Sequence, residues 1–136
     1  MKRLYFAAHY ARNAEMRNYR DRLTPFGYEV TSRWIDQHGG SLTEALGESD
    51  LNADPSLGTP YAEKDIADIV AADTVISFTN GQGRGGRHVE FGIAWALQKQ
   101  LIIIGPREHV FHCLPGIHCW PNFTEFYYNL VIGATG

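Results

Sequence analysis

The chain has 136 residues, 44% of them hydrophobic, with 12 basic against 15 acidic side chains and a formal net charge of −3. That length suits one α/β domain spanning 1–136 and is short for two, and the hydrophobic content argues against wholesale disorder. The charge balance gives no global pull toward nucleic acid or a membrane surface, so any anion site has to be local. The elements then follow in order. "RLYFAAH" (3–9) is a short apolar run that predicts a first strand. "NAEMRNYRDRLTPFG" (13–27) has helical spacing and stops at Pro25 and Gly27. "YEVTSRWI" (28–35), rich in β-branched and aromatic residues, predicts a second strand. Residues 36–59 are polar and Gly-rich, the composition of a lid or binding loop. "PYAEKDIADIVAAD" (60–73) opens with proline at a first helical position and puts Ile66, Ile69 and Val70 on one face. "TVISFT" (74–79) predicts a buried third strand. A glycine turn, a helix over about 87–99 and the strand "LIIIG" (101–105) follow. The remainder predicts a turn, a small strand near His118–Trp120 and a last helix from about Asn122.

Apolar strands alternating with helices imply a single-domain, doubly wound, mostly parallel sheet, Rossmann-like or flavodoxin-like, with helices on both faces. Ligands in such sheets bind beyond the carboxyl ends of the strands. That edge collects residues 7–12, 36–59 and 80–88. The glycine turn is therefore at the ligand edge for topological reasons alone.

Two cysteines, Cys113 and Cys119, make no disulfide framework, so a reducing, cytoplasmic setting is expected. The opening "MKRLYFAAHYARN" lacks the apolar region and cleavage site of a signal peptide. No apolar run approaches the roughly 20 residues a membrane span needs.

The turn "GQGRGGRHVEFGIAWAL" (81–97) poses the functional question. Gly81, Gly83 and Gly86 satisfy G-x-G-x-x-G, and Glu108 follows about 22 residues later, the spacing of a dinucleotide fingerprint. That reading ranks second, because the match lies outside the first β-α unit and Glu90 sits where a pyrophosphate would. A carboxylate in the first turn of a helix either caps free backbone donors or is held ionised by the helix N-terminus. An ionised glutamate at the ligand edge serves as a nucleophile or electrostatic stabiliser for a cationic sugar transition state.

The ordered series "LYFAAH", "EKDIADIVAADTVISFT", "GRGGRHVEFGIAWAL" and "LIIIGPRE" resembles the nucleoside 2-deoxyribosyltransferase-like superfamily. This group includes deoxyribosyltransferases and 2'-deoxynucleoside 5'-monophosphate N-hydrolases. The resemblance covers roughly residues 3–110, and its most specific part is Glu90-Phe91-Gly92-Ile93-Ala94. It implies Glu90 as the nucleophile that forms a glycosyl ester, Asp65 as the group handling the proton of the leaving base, and Tyr5 as the residue orienting Glu90. Six residues before the nucleophile, transferases acting on free nucleosides carry an acidic residue that binds the sugar 5'-hydroxyl; here that position is Arg84. Arginine binds phosphate bidentately instead. With Gly85, Gly86, Arg87 and His88 it forms a candidate 5'-phosphate cradle.

The resemblance thus implies an N-glycosidase acting on a nucleoside 5'-monophosphate. One alternative is a nucleoside 2-deoxyribosyltransferase; another is a non-catalytic nucleotide- or dinucleotide-binding module. The expected partners are a small-molecule nucleotide or nucleoside and further copies of the chain, as a homodimer or higher homo-oligomer, with no nucleic acid and no membrane. No cofactor is expected.

Further candidates carry structural readings beside functional ones. His9 and Arg12 lie past the first strand and reach either phosphate or base. Trp34 and His38 flank the long loop and either stack on a base or only pack. Asp65 is weighed against an exposed helix position, the reading given to Asp68 and Glu63, and Asp73 is read as structural. Tyr5 falls on a strand face that core packing alone explains. His109, His112, Cys113, His118 and Cys119 fall within eleven residues, but their spacing matches no usual zinc site, so no metal is expected. Phe123, Phe126, Tyr127, Leu130 and Val131 recur at helical spacing, which predicts core packing or an oligomer contact.

Overall fold

The computed structural model describes residues 2–36, 48–81 and 85–135. His38, Gly83 and Arg84 lie outside the described residues, as do residues 37–47 of the 36–59 stretch read as a lid; the rest of that stretch is not open loop but carries a short helix, Glu48–Ala53, and a 3-10 turn, Pro55–Leu57. The elements are β1 (Lys2–Ala7), α1 (Asn13–Leu23), β2 (Tyr28–Val30), α2 (Glu48–Ala53), α3 (Thr59–Ala71), β3 (Thr74–Phe78), α4 (Gly86–Ala96), β4 (Gln100–Ile104), β5 (His118–Trp120) and α5 (Phe123–Thr135).

Five strands form one sheet in the order β2-β1-β3-β4-β5, and every neighbouring pair is parallel. This is the flavodoxin-like order, with its reversal point between β1 and β3. β3 is buried along its whole length, and Leu101–Ile104 of β4 are buried as well. That is why both strands read as unbroken apolar runs rather than alternating ones. α1 and α5 share one face, where Tyr19 stacks on Phe123 at 3.8 Å between ring centroids. α3 and α4 pack side by side on the other face.

The second strand is shorter than its composition suggests. Pairing stops at Val30, and a 3-10 turn covers Arg33–Asp36. Side chains take over the open edge of β1: the Phe6 amide donates to Ser32 Oγ at 2.6 Å, and the Trp34 indole N–H donates to the Phe6 carbonyl at 2.8 Å. Hydroxyl and indole thus satisfy backbone groups that a longer strand would have paired.

The apolar stripe of α3 does not turn inward as one. Ile69 is fully buried, whereas Ile66 is 44% and Val70 54% exposed. Asp68, expected on the solvent side, is buried among the core elements. Its carboxylate accepts from the Arg33 backbone N–H at 3.0 Å and from Arg33 Nε at 2.8 Å. A partner 35 residues away satisfies the carboxylate, which is what burial of a charge requires. Asp73 fits its structural reading: it follows the end of α3, and its Oδ2 accepts the Arg3 amide at 2.9 Å.

Gly105 closes the end of β4 with φ +118°, and a Cβ there would lie 2.4 Å from Thr79 Oγ1. That hydroxyl donates to the Pro106 carbonyl at 2.6 Å, tying the ends of β3 and β4 together beneath the glycine turn. No helix among the described residues is long and apolar enough to cross a membrane.

Candidate active site

A cleft of about 930 Å³ opens at the carboxyl ends of β1 and β3, at the reversal point of the sheet. Ala8, His9 and Tyr10 come to it from the end of β1, and Trp34 from the turn after β2. α3 contributes Asp65, Ile66 and Ile69; α4 contributes Gly86 to Glu90 and Ile93. Gly81, Gly85, Glu108 and His109 complete the described wall. The volume is that of a small-molecule site, and the mixture of apolar walls with a few convergent polar groups is usual for one.

Glu90 sits one full turn inside α4, whose N-cap is Gly85 at φ +94°. The Tyr5 hydroxyl donates to Glu90 Oε2 across the sheet-to-helix interface. Tyr5 itself is fully buried in β1. Burial first, then the charges of Glu90 and Asp65, push the Tyr5 hydroxyl well above its ordinary pKa, so it remains a donor. Core packing and a hydrogen bond to Glu90 are here performed by one side chain.

The helix N-terminus argues for an ionised Glu90; the geometry reverses that expectation. Burial pushes its carboxyl up to about 8, the Tyr5 bond works downward, and Asp65 adds to the rise. The stabilising field of a helix terminus fades within its first turn, and Glu90 lies at that limit beside Ile69 and Ile93. Asp65 projects from α3 into the same cleft. Its burial and the charge of Asp68 raise it to about 6, against smaller pulls from Lys64 and Arg33. The cleft thus holds two carboxyls of unlike proton affinity, an arrangement typical of acid–base sites.

The candidate anion-binding residues divide. Gly85, Gly86, Arg87 and His88 line the cleft, as the sequence places them. Arg87, however, forms an ion pair with Glu108 and donates to the Gly81 carbonyl at 3.2 Å. Burial works to raise Glu108, yet Arg87 outweighs it and holds the carboxyl below its usual range. Glu108 also accepts the Asn80 amide at 3.3 Å, so it braces the turn from inside. His9 lines the cleft while its Nδ1 accepts the Ala11 amide at 3.0 Å. Trp34 presents part of its ring to the cleft but is 7% exposed and anchored by its indole N–H. Arg12 turns to Glu15, with two contacts of 2.8 Å, and to the Thr79 carbonyl at 3.0 Å. It braces the end of β3 and does not belong to the described cleft wall.

Sequence spacing missed one constellation. His88, His109 and His112 bring one nitrogen each within 4.8 Å of one another. The set weighed from spacing does not assemble: Cys113 is exposed, and Cys119 Sγ donates to the Gly105 carbonyl at 3.2 Å. His88 joins instead, because the start of α4 faces the loop after β4. That loop begins beyond β4, the strand paired with β3, so the pairing of adjacent strands was the one available signal.

Fold and cleft together define a doubly wound α/β protein with a carboxylate-bearing site at its strand-reversal point. No family model matches the chain, and no curated protein matches it. Solved structures do share its fold. One is a CMP N-glycosidase, BcmB, from Clostridium botulinum, 18% identical, with a TM-score of 0.60 over 96% of this chain and 99% of that one. Another is a 2-deoxyribosyltransferase from Bacillus psychrosaccharolyticus, 15% identical, with a TM-score of 0.67 over 92% and 90% of the two chains.

Proposed function

We propose that the protein is an N-glycosidase that hydrolyses the base–sugar bond of a (deoxy)nucleoside 5'-monophosphate through a glycosyl-Glu90 ester. The observation that carries this reading is Glu90 on the cleft wall, held by the Tyr5 hydroxyl and facing the same space as Asp65. The fold shared with a CMP N-glycosidase and a 2-deoxyribosyltransferase supports it.

Ionised Glu90 attacks the anomeric carbon as the bond to the base breaks. The electron pair leaves with the base, and Asp65 supplies the proton that neutralises it. Water then attacks the anomeric carbon, Asp65 takes the water's proton, and the bond from that carbon to Glu90 breaks, so that Glu90 departs as a carboxylate. The sum is nucleotide plus water giving free base plus sugar 5-phosphate. Gly85, Gly86, His88 and Arg84 hold the phosphate, with Arg87 kept in place by Glu108 until the ligand arrives.

With affinities of about 8 and about 6, Glu90 and Asp65 together carry one proton between those pH values. In the free protein that proton rests on Glu90, whereas the chemistry needs it on Asp65. The reactive arrangement is a minor form with the same proton count, so kcat/KM follows a bell between about pH 6 and pH 8.

The transferase reading keeps every residue role and replaces water by a second base; the deoxyribosyltransferase that shares the fold favours it. Incubation with a panel of (deoxy)nucleoside monophosphates and free nucleosides, with and without an acceptor base, separates the two. Free base and sugar phosphate are expected from a monophosphate without acceptor, and none from Glu90→Gln. Release only in the presence of acceptor selects the transferase. No release from any substrate, with Glu90→Ala still binding nucleotide, leaves the binding module.

If copies of the chain associate, the exposed Val70 of α3, with Ile66 and Val89 at the edge of the cleft, is the apolar surface we expect them to cover.

A further inference from the structure

Beyond the carboxyl pair, the densest polar feature is the histidine cluster at the rim of the cleft. The rings of His88 and His109 lie 4.5 Å apart and those of His109 and His112 3.8 Å apart. His109 Nε2 and His88 Nδ1 are at hydrogen-bond distance, 3.0 Å. The Glu108 amide donates to His112 Nδ1 at 3.0 Å, and His112 is fully buried. Two buried nitrogens in this cluster, His109 Nδ1 and His112 Nε2, have no partner among the described residues.

Three imidazoles this close suggest a metal, but the polarity of their bonds opposes it. A neutral imidazole has one lone pair and one N–H. The Glu108 amide occupies the lone pair of His112 at Nδ1, so the proton of that ring sits on Nε2. A metal-bound histidine needs the reverse: its far nitrogen donates to an acceptor. His112 is therefore built as a hydrogen-bond link.

The direction of the remaining bonds follows. His112 Nε2–H needs an acceptor, and the neighbouring ring offers the other unpartnered nitrogen, His109 Nδ1. The two ring centroids lie 3.8 Å apart, so pairing these nitrogens by ring rotation would satisfy both. His109, accepting at Nδ1, then carries its proton on Nε2 and donates to His88 Nδ1. His88, accepting there, carries its proton on Nε2. The geometry points to a one-way chain, Glu108 amide to His112 to His109 to His88, that fixes His88 as a neutral Nε2–H donor for an acceptor oxygen of the ligand.

His109 and His112 are positioning residues in this scheme, acting through His88. Burial, Arg87 and His109 lower the pKa of His88; burial and the other two histidines push His112 down to about 4, so neither ring charges near neutrality. The opposite tautomer of His88 would aim a lone pair at a phosphate oxygen and repel it. The identity of that oxygen rests on the nucleotide reading above; the tautomer does not.

Long-range proton–nitrogen NMR on the free full-length protein at neutral pH tests the chain. The expected spectrum has His88, His109 and His112 each protonated on Nε2 alone. His109→Phe keeps a ring and removes both nitrogens: His88 should relax to a tautomer mixture, and KM for a cleaved monophosphate should rise about tenfold with kcat nearly unchanged, the loss of roughly one hydrogen bond. His109→Gln, whose amide accepts on one side and donates on the other, should restore the Nε2–H form of His88. Protonation of His88 on Nδ1, a charged His88, or a tautomer indifferent to His109→Phe overturns the proposal. So does stoichiometric zinc chloride shifting all three rings together, which would make the cluster a metal site. If no nucleotide is cleaved at all, the wild-type spectrum still decides the tautomer, and only the ligand assignment falls.

Discussion

Asp65 and Asp68 lie one turn apart on α3, yet the fold treats them in opposite ways. Asp68 turns inward and meets the side chain and backbone of Arg33. Asp65 faces the cleft and makes no hydrogen bond or ion pair among the described residues; burial and its acidic neighbour raise its proton affinity. A carboxylate matched to a cation holds structure together. A carboxyl deprived of one is left ready to exchange a proton. The same residue type, three positions apart, is a brace in one place and, on the proposed mechanism, a reagent in the other, because Arg33 hydrogen-bonds only Asp68.

Substitutions at these carboxyls and their neighbours should separate the two roles. The largest effect belongs to Glu90, the other carboxyl of the cleft. Glu90→Gln should cost roughly a thousandfold or more in kcat, as loss of a covalent nucleophile does. Its stability should move the other way. The folded carboxyl, at about 8, binds its proton more tightly than the unfolded one, so wild-type stability falls as pH rises through that interval. Melting curves should therefore show Glu90→Gln more stable than wild type at pH 9, with the gap closing toward pH 4. An equal gap at both ends would mean that the carboxyl is not buried as described. Next, Asp65→Asn should lower kcat about a hundredfold or more while leaving the melting temperature unchanged or higher, and should replace the bell by a single rise toward about 8, the ionisation of Glu90, with no fall on the alkaline side. Asp68→Asn should do the opposite, lowering the melting temperature and sparing kcat. If the two aspartates respond alike, the distinction between brace and reagent fails.

Tyr5→Phe is the finer probe. Removing the hydroxyl takes away the bond that draws Glu90 downward, so the alkaline limb of kcat/KM should move above 8. The rate should fall about ten- to a hundredfold, the loss of one hydrogen bond to a charged group. A limb that stays in place would assign that titration to another group. The smallest effect is expected from Val70→Lys, which should shift the oligomer distribution in light scattering and leave the melting temperature of the monomer nearly unchanged.

Much of this was legible in the chain. The apolar runs at Thr74–Phe78 and Leu101–Ile104 identified central strands because burial on both faces removes alternation. Glu90 was legible because a helix start after a strand must lie at the ligand edge. What stayed hidden depends on partners distant in sequence. Asp68 looked exposed because its mate is Arg33. The second strand looked longer because composition does not reveal that Ser32 and Trp34 would bond to β1 through their side chains. The histidine cluster was split between two readings, since His88 and His109 are brought together only by the pairing of β3 with β4.

The side-chain seal on β1 has one more consequence. A second strand continued past Val30 would run alongside Ala7 and His9 and raise a wall of backbone across the mouth of the cleft. By ending pairing early and finishing that stretch of β1 with a hydroxyl and an indole, the protein leaves the doorway unblocked while giving a stray strand no free backbone group at Phe6 to pair with.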